Sequence, residues 1–89
     1  MTKEELIERL AHYEHRSWAR WQAYLHSQCA RNPDGSLIIP AALVERWERQ
    51  ISTPYDELTE QEKQSDRDEV AHILPVIMEF VEDRQPNED

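Results

Sequence analysis

Thr2-Lys3-Glu4-Glu5-Leu6-Ile7-Glu8-Arg9-Leu10-Ala11-His12-Tyr13-Glu14, running on through His15-Arg16-Ser17-Trp18-Ala19-Arg20-Trp21 to Gln28, decides the fold. Thr2 and Glu5 form a capping box: a hydroxyl for the free N–H groups of a helix start, and a glutamate three residues on that reaches back. Neither Gly nor Pro interrupts the stretch. At 100° per residue, Leu6, Ile7, Leu10, Tyr13, Trp18, Trp21, Tyr24 and Leu25 fall on one wide face. The pattern predicts a single long helix to about Gln28.

Beyond it, Asn32-Pro33-Asp34-Gly35-Ser36 is a dense turn signal holding the sole glycine, expected at positive φ. Leu37-Ile38-Ile39 reads as a short extended segment that tucks apolar side chains under the helices. Pro40 suits the first turn of a second helix, because its missing N–H costs nothing there. That helix carries Leu43, Val44, Trp47 and Ile51 as a narrower stripe. Residues 52–58 read as an ordered loop in which Pro54 fixes φ and keeps Thr53 extended. Thr59-Glu60-Gln61-Glu62 is a second capping box, opening a third helix whose apolar face is Val70, Ile73, Leu74, Ile77, Phe80 and Val81. Pro75 lies almost opposite that face. The expected architecture is therefore all-α: a three-helix domain over residues 1–81 with a long N-terminal helix, followed by an acidic, fraying tail over 82–89.

With 89 residues the chain holds one domain and one modest core. Ten Lys+Arg stand against nineteen Asp+Glu, a net charge of −9. The excess is graded: +1 over residues 1–31, −3 over 32–58 and −7 over 59–89. A surface of that sign repels duplex nucleic acid, which depends on clustered basic residues, and no Lys/Arg run exists. No apolar run approaches a membrane span, and the polar start predicts no signal peptide. Cys29 is the only cysteine, which excludes an internal disulfide and points to a reducing, cytoplasmic setting.

Catalytic motifs are missing. There is no nucleophile elbow, and one glycine cannot build a phosphate-cradling loop. Cys29 sits at a helix C-terminus, where the dipole disfavours the thiolate. His12-x-x-His15 and His26-x-x-Cys29 each set two zinc-type ligands one turn apart, but ~21 Å separates the pairs along the helix, so one ion cannot take both. We expect no enzyme, cofactor or metal. Arg16 and Arg20 flank the aromatic edges of Trp18 and Trp21, a pairing able to hold a small anion and stack on a base. With Trp18 and Trp21 in the core, the same arginines would simply pair with acids such as Glu14. Asp66 falls amid an apolar face, where a carboxylate needs a partner from His15, an arginine or the 52–58 loop.

His15-x-x-Trp18-Ala19, with Pro54-Tyr55-Asp56-Glu57-Leu58 and Glu62-Lys63-x-x-Asp66-Arg67, resembles the RyR domain, the repeat module named for ryanodine receptors. The blocks bracket residues 15–67. The chain differs where that family has a Gly-Trp-x-Tyr-Gly-like segment after the first helix, replaced here by Asn32–Ile51, and in Ser65, where an aromatic often precedes Asp-Arg. The resemblance implies a non-catalytic binder of a small anionic, nucleotide-derived signal, similar to small phage-encoded proteins that sequester or sense a host defence signal in the host cytoplasm. Its candidate contacts are His15, Arg16, Trp18, Arg20, Tyr55, Lys63, Asp66 and Arg67. The alternative is an acidic interaction module or polyanion mimic that masks a basic host protein through the third helix and tail. Trp18, Trp21 and Tyr24 in addition suggest a symmetric homodimer.

Overall fold

The computed structural model describes residues 1–84. It is mostly helical, with α1 at Lys3–Gln28, α2 at Ala41–Ile51 and α3 at Glu60–Arg84. A two-residue strand pair, β1 at Ala30–Arg31 and β2 at Leu37–Ile38, joins α1 to α2, and a 3₁₀ turn at Tyr55–Glu57 precedes α3. Residues 82–84 continue the last helix rather than fraying, and the rest of the expected tail lies outside the described residues.

The helix starts follow from their capping side chains. Thr2 Oγ1 accepts the Glu5 N–H at 3.0 Å. At α3 both halves of the box close: Thr59 Oγ1 accepts the Glu62 N–H at 3.1 Å, and Glu62 Oε1 accepts the Thr59 N–H at 3.0 Å. Pro40 occupies the N-cap of α2, one residue before the expected first turn. α3 continues through Pro75 without a break.

β1 and β2 are antiparallel, with Ala30 opposite Ile38 and Arg31 opposite Leu37. The intervening turn is tied from both ends. The Asn32 N–H reaches the Ser36 carbonyl at 2.8 Å, and Asp34 Oδ1 accepts from the Ser36 N–H at 2.9 Å and its hydroxyl at 2.6 Å. Gly35 adopts φ +90°, a conformation that residues with a Cβ rarely take. Ile38 and Ile39 do not tuck under the helices; both are exposed, and only Leu37 is half-buried.

α1 and α3 are the principal packed pair and run antiparallel. The Met1 amino group meets Asp83 at 2.9 Å, Arg9 Nη1 donates to Glu79 Oε2 at 2.7 Å, and Arg20 Nη2 donates to Glu69 Oε2 at 3.0 Å. The less exposed residues repeat at intervals of four, three and four on both helices: Leu6, Leu10, Tyr13 and Ser17 on α1, Glu69, Ile73, Val76 and Phe80 on α3. Such spacing makes a coiled-coil-like seam. Tyr13 sits at its centre, 8% exposed, and its hydroxyl lies 2.6 Å from both the Glu69 carbonyl and Glu69 Oε2.

The wide apolar face of α1 therefore divides into two rows. Leu6, Leu10 and Tyr13 face α3, while Ile7, Trp18 and Trp21, one residue further round, stay exposed at 53–57%. Trp18 and Trp21 are not core residues, contrary to the sequence expectation. α3 divides in the same way, leaving Val70, Leu74, Ile77 and Val81 exposed. Tyr13 is the single buried apolar residue among those described. The Cα radius of gyration is 18.4 Å, against about 12 Å for a compact chain of this length. One seam between two long helices cannot cover all the apolar surface that they carry.

Two substitutions test this account. Thr59→Ala opens one half of the α3 cap and is expected to cost about 1 kcal/mol. Tyr13→Phe removes a hydrogen bond to a charged carboxylate and is expected to cost about 1.5 kcal/mol, a fall of several degrees in Tm by circular dichroism. A neutral Tyr13→Phe would show that the seam does not depend on the hydroxyl.

Candidate functional site

At the end where α1 finishes and α3 begins, the two helices meet α2 around an open cleft of about 420 Å3. Its aromatic walls are Trp21 and Tyr24 from α1 and Trp47 from α2. Trp21 and Tyr24 sit edge to face, their ring centroids 5.8 Å apart. Arg20, Arg46, Glu62, Asp66 and Glu69 supply the charge around the cleft. Two guanidiniums against three carboxylates give that lining a net charge of −1.

Most of these charges are already engaged. Glu69 takes Arg20 and the Tyr13 hydroxyl, and that hydroxyl, more than Arg20, holds the Glu69 carboxyl below the usual glutamate range. Glu62 is lowered first by the Thr59 N–H and then by Arg49, whose Nη2 donates to Oε2 at 3.1 Å. Arg46 and Asp66 make no ion pair or hydrogen bond among the described residues. Asp66 was expected to need a buried partner; it is exposed, and water can solvate its charge instead.

The sequence-derived contact residues fall into three places. His15 stacks on Trp18 with ring centroids 6.0 Å apart, and Arg16, also exposed, lies on the opposite side of α1 from Trp18. Arg20 and Asp66 line the cleft. Tyr55, Lys63 and Arg67 gather at the loop before α3, where the Lys63 ammonium lies 5.8 Å from the Tyr55 ring centroid. There Arg67 donates to Glu60 Oε2 at 3.1 Å, which lowers the Glu60 carboxyl and neutralises much of the guanidinium charge. Only Arg20 and Asp66 among the eight meet at the cleft. Its aromatic walls and Arg46 were not among the expected contacts. Their signal was an excess of apolar rings on α1 and α2 over what one seam can bury.

Cys29 Sγ points back to the Leu25 carbonyl at 3.1 Å. Among the described residues no group of three potential ligands could hold a metal ion, and no helix is long and apolar enough to cross a membrane. No family model, no curated protein and no solved structure matches the chain.

The carboxylates set the pH response. Glu60, Glu62 and Glu69 all have folded-state pKa values below the ordinary one, so their stabilisation is complete above the unfolded glutamate value and is lost as pH falls through the folded values. On the alkaline side, the Met1 amino group is raised first by its hydrogen bond to Asp83, and Tyr13 by its bond to Glu69. Their contributions are present below the unfolded values and fade as pH rises through the folded ones. Tm measured against pH should therefore drop below the ordinary glutamate range, and Glu69→Gln should flatten that drop. An acid limb unchanged in Glu69→Gln would count against the assignment.

Proposed function

We propose that the chain is a non-catalytic interaction module that docks through the exposed apolar face of its α1–α3 pair. One observation carries this reading: the rows Ile7, Trp18 and Trp21 on α1 and Val70, Leu74, Ile77 and Val81 on α3 all stay exposed, on helices whose other rows are packed. Large contiguous apolar surface on a folded chain marks an interaction site. In the polyanion-mimic version, Glu69, Glu79 and Asp83 would meet a basic partner. These acids already hold Arg20, Arg9 and the Met1 amino group. Their charge is spent on joining α1 to α3, so the apolar face is the better-supported docking surface.

A second reading has its own support. The cleft has the size of a small-molecule site, three aromatic walls and, in Arg46, a guanidinium with no ion-pair partner among the described residues. A planar, anionic, nucleotide-type ligand could stack there, which is what the resemblance to the RyR domain implies. Kinship with that domain, a phage origin and a cytoplasmic setting belong to this reading and rest on the two sequence blocks and the single cysteine.

A thermal-shift panel of nucleotides, cyclic oligonucleotides and ADP-ribose derivatives at low salt separates the two. Ligand at 100 times its Kd stabilises by about 2.7 kcal/mol, several degrees for this length. The interaction reading expects no saturable shift from these compounds and expects the apolar dye ANS to bind wherever the face is left uncovered by a partner. A saturable shift that is lost in Arg46→Ala and Trp47→Ala would establish the cleft as the site and displace the interaction reading.

A further inference from the structure

Helix geometry fixes where the exposed rows lie. α1 and α3 are antiparallel, so residues one position after the seam residue on each helix turn to the same side of the pair. Residues one position before it turn to the other side. Arg9 and Glu79, each one before a seam residue, do meet across that other side at 2.7 Å. The pair therefore has one charged face, bearing Arg9, Arg16, Asp68 and Glu79, and one apolar face. The apolar face is formed by Ile7, Trp18 and Trp21 from α1 with Leu74, Ile77 and Val81 from α3, each 38–57% exposed.

We infer that this face is covered by a second copy of the chain, giving a twofold-symmetric homodimer in which two helix pairs close a four-helix core. The inference rests on the docking reading above and names the occupant. Area is the first argument. The chain exposes 7307 Å2, where a compact monomer of 10.6 kDa exposes about 5,500 Å2. The excess is about 1,800 Å2 per chain. Burying half of it from each of two copies gives about 1,800 Å2, within the standard range of a specific interface, and burying all of it reaches the obligate-homodimer range.

Charge is the second argument. A chain of net charge −9 repels its own copy, yet the acidic and basic residues that fall in the apolar rows are Glu4, Glu14 and Glu60 against Lys63, Arg67 and Arg84. The face is thus close to neutral, and the acidic excess lies elsewhere. Symmetry is the third. A two-helix layer with one apolar side is half of a bundle, and a twofold laying α1 of one copy on α3 of the other keeps all neighbouring helices antiparallel. Antiparallel neighbours set helix dipoles in favourable opposition.

Sedimentation equilibrium of the full chain from 5 to 200 µM tests this inference, read beside circular dichroism. The expected mass is twice 10.6 kDa. Leu74→Glu and Ile77→Glu are expected to weaken association by at least about 100-fold, because each would bury a charge at the interface. Ile51→Glu, on α2 and 79% exposed, is expected to leave the mass unchanged. A helical monomer at 200 µM overturns the second copy, and the wild-type mass decides this even if a variant fails to fold. ANS then tells the two failures apart. A monomer that binds ANS, with binding reduced by Leu74→Glu, keeps the docking reading and assigns another occupant. A monomer that binds no ANS defeats both.

Discussion

The Glu62 carboxylate is the joint on which the arrangement turns. One oxygen accepts the Thr59 N–H and so completes the cap of α3; the other accepts Arg49 and so fastens α2 to the same point. Glu62 is 8% exposed, the only charged residue among those described to be so covered. A carboxylate taken that far from water must satisfy its lone pairs, and each bond it makes closes a different element. α2 touches the rest of the molecule lightly apart from this bond, so the angle at which it leaves α3 shapes the cleft. Trp47, the wall that α2 brings to the cleft, rides on the helix that this second bond of a capping glutamate fastens.

The second constraint is the supply of apolar rows. Each long helix carries two, one residue apart, and a single antiparallel seam uses one from each. Across the described residues the structure meets its polar obligations, with no buried side-chain nitrogen or oxygen left without a partner. The imbalance is entirely apolar. An unsatisfied polar group would point to water or an ion, whereas unsatisfied apolar surface points to another surface.

Element type was largely legible in the sequence, and arrangement much less so. The capping boxes at Thr2 and Thr59 and the uninterrupted periodicity up to Gln28 are local signals, which is why they locate the helices. The pairing of Ala30–Arg31 with Leu37–Ile38 was not foreseen, because two-residue strands carry no periodicity to read. The wide face of α1 was visible, but which part of it turns inward depends on the row that α3 offers, a tertiary fact. Trp18 looked like core for that reason. The contact residues scattered for a related one: sequence spacing places Arg16 and Arg20 near each other on one helix but says nothing of where Lys63 and Arg67 stand relative to them. Asp66 shows the converse error, since an acid on an apolar face needs a partner only if that face is covered.

Trp21 links the two candidate surfaces. It lies on the exposed row of α1 and also forms a wall of the cleft against Trp47. A body docked on the apolar face and a molecule seated in the cleft would therefore share one indole. If seating one occupant shifts the Trp21 rotamer and so changes the affinity for the other, the second occupant must change the affinity for the first by the same factor, because coupling between two binding equilibria is reciprocal. Trp21 is half-exposed between α1 and α2, so a change at this one side chain is felt at both surfaces.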